Sequence, residues 1–198
     1  MSPTKTRDTR TRLLDAGILA FLENGFHGTG IKAVLDAVGV PKGSFYNYFD
    51  SKEAFGAATI EHYASKMGAR LGEAMAGASD SVEGLRAFFH DEMRDFERSD
   101  FVGGCLVANL GGELEASSVC RDALATAQGQ YIDGIAAALA QAQEAGLIRK
   151  DHSSAELARV FVDAWEGAVI RMKIERTLAP LEQCLALVLD GFLREQGA

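Results

Sequence analysis

Apolar residues recur three or four positions apart through most of this chain, and no Val/Ile/Thr-rich segment alternates with the two-residue period of a strand. That pattern implies an all-α fold. Leu14, Ile18, Phe21 and Leu22 mark a first helix over residues 8–24, stopped at Asn24-Gly25. Ile31, Val34, Leu35 and Val38 mark a short second helix ending at Gly39. Pro41 starts a third over Lys42–Phe49, because a first-turn proline lacks only an N–H that would have no partner. Asp50-Ser51-Lys52-Glu53 fits a capping box with its acceptor at Asp50, opening a fourth helix that runs past Met67. Asp80 to Glu83 repeats the signature before Leu85, Phe88, Phe89, Met93 and Phe96. After the break at Phe101-Val-Gly-Gly104, a shorter helix carries Cys105, Leu106, Leu110 and Leu114. Ser118 then caps a long helix through Tyr131, Ile135 and Leu139, stopped at Gly146. Ser153 to Glu156 opens a helix bearing Leu157, Phe161, Trp165 and Ala168, and Pro180 suits the first turn of a last helix ending near Leu193. These make about nine helices, divided into a small N-terminal domain over 1–52 and a larger one over 53–198.

Composition narrows the function. A chain of 198 residues with 47% hydrophobic content can bury a substantial core. The polar N-terminus lacks a leader-like apolar stretch, and no apolar run approaches the ~18 residues of a membrane span, so a cytoplasmic protein without membrane contact is expected. Cys105, Cys120 and Cys184 are too widely and irregularly spaced for a disulfide framework or a zinc site. His27, His62, His90 and His152 show no ligand spacing either, so neither metal nor cofactor is expected. The net charge of -8 argues against nucleic acid, but it is uneven. Residues 1–56 hold seven Lys or Arg against six Asp or Glu, while 57–198 hold thirteen against twenty-two. Lys5, Arg7, Arg10 and Arg12 form a basic arm ahead of the first helix, suited to follow a phosphate backbone or to be a solvated terminus.

The stretch from Gly25 to Phe55 carries the most information. Two short helices joined by a tight turn at Val38-Gly39-Val40 suit a helix-turn-helix, since Gly39 can adopt the positive φ that lets the second helix cross the first. On that second helix Gly43 and Ser44 permit close approach to DNA, Lys42 and Asn47 offer donors, and Tyr46 and Tyr48 carry hydroxyls able to reach phosphates. Lys52 adds a charge at the start of the next helix. Helical spacing alone fits equally a hairpin inside an ordinary core, with Phe45 and Phe49 buried and the tyrosines at its rim.

Gly25-Phe26-x-x-Thr29, followed by Ala37-Val-Gly-Val40, Lys42-Gly-Ser44, Tyr46, Tyr48-Phe49 and Ser51-Lys-Glu53, resembles the DNA-binding domain of TetR-family repressors. The resemblance implies a homodimer on a near-palindromic double-stranded operator, released by a small-molecule inducer. It implies phosphate contacts from Thr29, Tyr46, Tyr48 and Lys52, and groove contacts from Lys42, Gly43, Ser44 and Asn47. The family usually has Ser or Thr in place of Gly30 and Ser in place of Pro41. Gly104-Cys-Leu106, Asn109-Leu110, Ala164-Trp-Glu-Gly-Ala168 and Arg171-Met-Lys173 further resemble a branch responding to N-ethylmaleimide, quinones, reactive aldehydes or acrylate-type compounds. In that branch the thiol matching Cys105 can be the sensor. Asn109, four residues on, shares its helix face and is a candidate for the same pocket or for surface solvation. Trp165 and Arg171 lie on the penultimate helix, which in this family helps form both the inducer cavity and the dimer interface, and a lone Trp more often serves core or interface packing. Cys105 also follows two glycines at a helix start, where unpaired N–H groups favour a thiolate, although a free cysteine is equally at home as a small buried hydrophobe. Two rival readings are a thiol enzyme using Cys105 as nucleophile, for which no Cys/His/Asp motif is present, and an acidic helical adaptor.

Overall fold

The computed structural model describes residues 3–114 and 117–194, with backbone alone at 3–7 and at Lys42. Among the described residues every regular element is helical: α1 Pro3–Gly28, α2 Ile31–Ala37, a 3₁₀ segment Lys42–Asn47, α3 Lys52–Ala76, α4 Ser81–Arg98, α5 Leu106–Gly111, α6 Ser118–Glu144, α7 Ser154–Glu175, and α8 Ala179–Cys184, which widens into a π-helix over Leu185–Phe192. The all-α expectation therefore holds, with the recognition segment as the departure: it is a 3₁₀ turn ending at Asn47, with Pro41 extended ahead of it at φ -59° and ψ 141°. None of the described helices is long and apolar enough to cross a membrane.

Several helix ends differ from the sequence pattern. The basic arm is not a free arm, because α1 begins at Pro3 and includes it; proline is compatible with a first turn and nothing from Thr4 to Arg12 breaks the helix. Gly25 interrupts α1 as expected, at φ 69° and ψ 176°. The cap of α3 is Ser51 and not Asp50, since the Ser51 Oγ accepts from the Ala54 N–H at 3.0 Å. The cap of α6 is Ser117 and not Ser118, with its Oγ 3.4 Å from the Cys120 nitrogen. By contrast Asp80 accepts from the Val82 and Glu83 N–H groups, and Ser153 and Glu156 form the complete reciprocal box.

The chain divides into two compact units, Met1–Ser65 with Cys105–Gln128, and Lys66–Gly104 with Gly129–Ala198. In the first, Phe21, Phe26, Phe45, Phe49 and Phe55 form a buried aromatic cluster on which Leu106, Leu110 and Leu114 also pack. The Phe49 and Phe55 ring centroids lie 4.9 Å apart. Gly17 lets α1 approach α3, for a Cβ there would stand 2.5 Å from Phe55. In the second unit Phe89 lies 4.6 Å from Trp165 and 4.9 Å from Phe161, and α7 packs on α8. Arg149 closes the π-helix, its backbone N–H donating to the Leu193 carbonyl at 2.9 Å and its guanidinium lying 4.4 Å from the Phe192 ring.

Candidate DNA-binding interface

The turn between α2 and the 3₁₀ segment is fixed by its backbone. Gly39 takes φ 67°, and the Val40 N–H reaches back to the Leu35 carbonyl at 2.9 Å, closing the helix end with a left-handed residue. Arg12 then donates to the Val38 carbonyl at 2.6 Å, tying α1 to the turn. Beyond Pro41, Phe45 and Phe49 point inward and are buried. The opposite side of the short segment is left outward, with Tyr46 72% exposed and Gly43 and Asn47 also exposed. The segment thus keeps its phenylalanines in the core and leaves one polar side, with Tyr46, open to solvent.

The remaining candidates divide by burial. Ser44 and Tyr48 are half-buried at the edge of the outward face. Lys52 lies over the Phe26 ring, its Nζ 4.5 Å from the centroid, which holds its charge at the start of α3. The Lys42 side chain falls outside the described residues. Thr29 does not face outward: it is 3% exposed, with its Oγ 2.7 Å from the Gly25 carbonyl and 3.0 Å from that of Ala20. Its hydroxyl is engaged in closing α1, so a phosphate contact from that group would need it to turn out of the protein. Gly30 precedes α2 with no side-chain cap, and a Cβ there would meet nothing within 4 Å. Gly30→Ser is therefore expected to stabilise the chain by about 0.5–1 kcal/mol, from a new N-cap and a less flexible unfolded chain; a melting temperature that does not rise would contradict this.

Of the three thiols, Cys105 alone is partly exposed. It occupies the N-cap of α5 at φ -76° and ψ 122°, after Gly103 and Gly104 at φ 101° and 97°, and Asn109 follows one turn on. Cys120 is buried against the Glu53 carbonyl, and burial pushes the Cys184 thiol up to about 11. Trp165 is core, 1% exposed, and Arg171 on the same helix is exposed and paired with Glu175 at 3.0 Å. Cys105 and Asn109 thus belong to one compact unit, Trp165 and Arg171 to the other.

Three features lie beyond the motif reading. Arg12 ties α1 to the turn, where its position suggested a phosphate ligand or a solvated terminus. Glu113 accepts from the His27 N–H at 3.2 Å, and its carboxylate occupies the space where a Gly25 side chain would stand; no local sequence signal marks it. Glu92 is buried in α4, and its position within the stripe of Leu85, Phe88, Phe89 and Met93 was a usable signal.

Comparison with known proteins agrees with this geometry. Residues 13–59 match the family model described as bacterial regulatory proteins, tetR family, and residues 81–188 match the tetracyclin repressor-like C-terminal domain. The HTH-type transcriptional repressor DhaR of Mycobacterium sp. (strain GP1) is 34% identical over 93% of this chain and 92% of its own length. The repressor NemR of Escherichia coli (strain K12) is 34% identical over 95% and 96%, and the crystal structure of its reduced form aligns with a TM-score of 0.81 at 33% identity, covering 91% of this chain and 95% of that one. The crystal structure of regulatory protein TetR from Rhodobacter sphaeroides aligns with a TM-score of 0.84 at 34% identity over 91% and 96%. The chain belongs to the tetR family of bacterial regulatory proteins and is a transcriptional regulator, not an enzyme.

Proposed function

We propose that the protein represses transcription as a cytoplasmic homodimer, placing the Lys42–Asn47 face of each protomer in a major groove of a near-palindromic operator, and leaves the DNA when an electrophile modifies Cys105. The observation that carries the DNA half is the outward Tyr46, Asn47 and Gly43 on a segment anchored by Phe45 and Phe49. Tyr46, Tyr48, Lys52 and Thr29, if its hydroxyl turns out, would serve phosphates, while Lys42, Gly43, Ser44 and Asn47 would serve base edges. Half-sites would then lie about 34–36 Å apart or at multiples of that spacing.

Dimerisation is supported by an apolar face on α7 and the π-helix, where Val160, Ile170, Ile174 and Leu187 are exposed. Gly167 lies on the exposed side of α7 with nothing within 4 Å of a would-be Cβ, which would admit close approach of a partner helix. Each isoleucine there would be buried twice in a two-fold interface. Ile174→Arg is accordingly expected to weaken the dimer by about 3–6 kcal/mol, a hundredfold or more in Kd; a dimeric mass at micromolar concentration in sedimentation would contradict it.

For induction, the Cys105 thiolate would add to the β-carbon of an activated alkene, forming a C–S bond as the C=C π bond breaks and the α-carbon takes a proton from water. Within the same compact unit α5 runs from Cys105 toward Glu113, which holds His27 beside the break in α1. A shift of α5 would thereby reach the helix whose Arg12 secures the recognition turn. A coupling of 1–3 kcal/mol would change operator affinity by roughly 5 to 150-fold. Footprinting of the DNA flanking the protein's own gene, with and without N-ethylmaleimide or acrylate, tests both parts. Protection lost on treatment of wild type and kept by Cys105→Ser is expected. Loss in both would assign release to a non-covalent inducer with Cys105 structural, and no protection at all would overturn the DNA reading.

A further inference from the structure

The N-terminal part of α1 carries Lys5, Arg7, Arg10 and Arg12 against Asp8 as the one acid between residues 3 and 12. Its first turn contains no acidic residue, and the start of a helix is where the macrodipole least favours cations. Within the helix itself that arrangement is unfavourable, and an external anion would relieve it. Two of the cations have contacts, and both lead to the helix-turn-helix instead of to a carboxylate. Arg10 lies over the Phe49 ring, its Cζ 5.3 Å from the centroid, and Arg12 donates to the Val38 carbonyl at 2.6 Å. Both residues remain exposed, and neither is ion-paired with a carboxylate among the described residues. Arginines of the second compact unit differ: Arg70, Arg86, Arg149 and Arg176 each meet a carboxylate. A guanidinium held by a ring face or a single carbonyl keeps its charge and most of its five N–H donors for an outside partner. The ring under Arg10 is that of Phe49, whose neighbour Tyr48 has its own ring 6.5 Å away and is itself a candidate phosphate ligand.

We propose that the start of α1 is a second DNA-contacting surface, a basic helix fixed to the recognition segment through Arg10 and Arg12 that binds backbone phosphates beside the contacts of the Lys42–Asn47 face. The proposal deepens the DNA-binding reading above and rests on it. Duplex DNA is the occupant because both anchors join α1 to the segment and turn that face the groove, so docking there brings phosphates to cations already in place. Ordered cations lose little conformational freedom on binding, where a free arm would lose much. Arg10 is the phosphate ligand that the geometry fixes, and Lys5 and Arg7 add charge along the same helix. Phosphates carry no base identity, so this surface strengthens binding to any duplex without changing which sequence is preferred. Each phosphate it neutralises releases counterions, which makes its contribution steeply salt-dependent.

Fluorescence anisotropy with the full-length protein tests the surface, using a duplex of about 30 base pairs from the region protected in footprinting and a scrambled duplex of equal length, between roughly 50 and 300 mM KCl. Arg10→Gln is expected to bind both duplexes roughly tenfold or more weakly at the low-salt end. The slope of log affinity against log salt should fall by about 0.9 per protomer, about 1.8 for a dimer. The ratio between the two duplexes should hold within about twofold. Arg10→Lys, which keeps the charge, should keep the wild-type slope. Ethylation of operator phosphates gives an independent map: at least one phosphate per half-site should block wild type when ethylated and no longer matter to Arg10→Gln. Circular dichroism checks folding. An Arg10 that only steadies Phe49 would lower affinity with slope and ethylation pattern unchanged, and that result in folded Arg10→Gln would overturn the proposal. Should Arg10→Gln not fold, an unchanged slope in the double variant Lys5→Gln, Arg7→Gln would overturn it instead. Failure of wild type to prefer the protected sequence would count against the repressor reading, whereas sequence-specific binding with an unchanged slope in the variants would count against this surface alone.

Discussion

Phe49→Ala is expected to lower the unfolding free energy by about 3–5 kcal/mol and to abolish operator binding at temperatures where the rest of the chain is still folded. The Phe49 ring is buried 4.9 Å from Phe55 and 5.5 Å from Phe45, and Arg10 lies 5.3 Å over its face. Removing it leaves a cavity at the hinge between the recognition segment and α3. The segment is six residues of 3₁₀ helix without a side-chain cap, so little besides Phe45 and Phe49 fixes its direction. Thermal unfolding and footprinting together check the prediction. A variant that melts like wild type and still protects DNA would show that the aromatic anchors do not set the orientation of this face.

Glu92→Gln is expected to change how stability depends on pH. The native carboxyl is raised to about 8 from an ordinary 4.5, chiefly by burial, so the folded chain retains a proton that the unfolded chain loses. The stabilisation from that retained proton is complete below pH 4.5 and is lost as pH rises through the native value. Relative to Glu92→Gln, which has no such proton, wild type should lose on the order of 3–5 kcal/mol between pH 4.5 and 8.5. Denaturant titrations at matched protein concentration measure the difference. Parallel pH profiles for the two proteins would mean that Glu92 is ionised and solvated in the folded state.

The helical periods and caps were legible wherever a polar cap met an apolar stripe, as at Asp80 and Ser153. They misplaced the starts of α3 and α6 by one residue, because Asp50-Ser51 and Ser117-Ser118 each offer two acceptors and only backbone geometry selects one. The basic arm was legible as a phosphate-following or solvated segment, but not in the partners that two of its cations find inside the protein, the Val38 carbonyl for Arg12 and the Phe49 ring for Arg10. Both contacts are distant in sequence. The recognition motif was legible in its residue types, and the structure adds the orientation that spacing could not give, with Phe45 in and Tyr46 out. Thr29 shows the converse, a motif residue whose hydroxyl is taken up by the protein itself. Glu113 was invisible to sequence reasoning, since nothing near it signals a partner eighty-six residues away. Glu92 was readable, because a carboxylate in line with Phe88, Phe89 and Met93 must be either solvated by the helix edge or buried for a purpose.

Gly43 offers the most direct test of where this protein meets DNA. It is exposed and a Cβ there would meet nothing within 4 Å, so Gly43→Glu adds bulk and negative charge to the outward face without touching the core. Quantitative footprinting on the wild-type operator, paired with thermal melting, should show a folded protein whose protection is lost. Wild-type protection by a folded Gly43→Glu protein would mean that the Lys42–Asn47 face does not enter a groove.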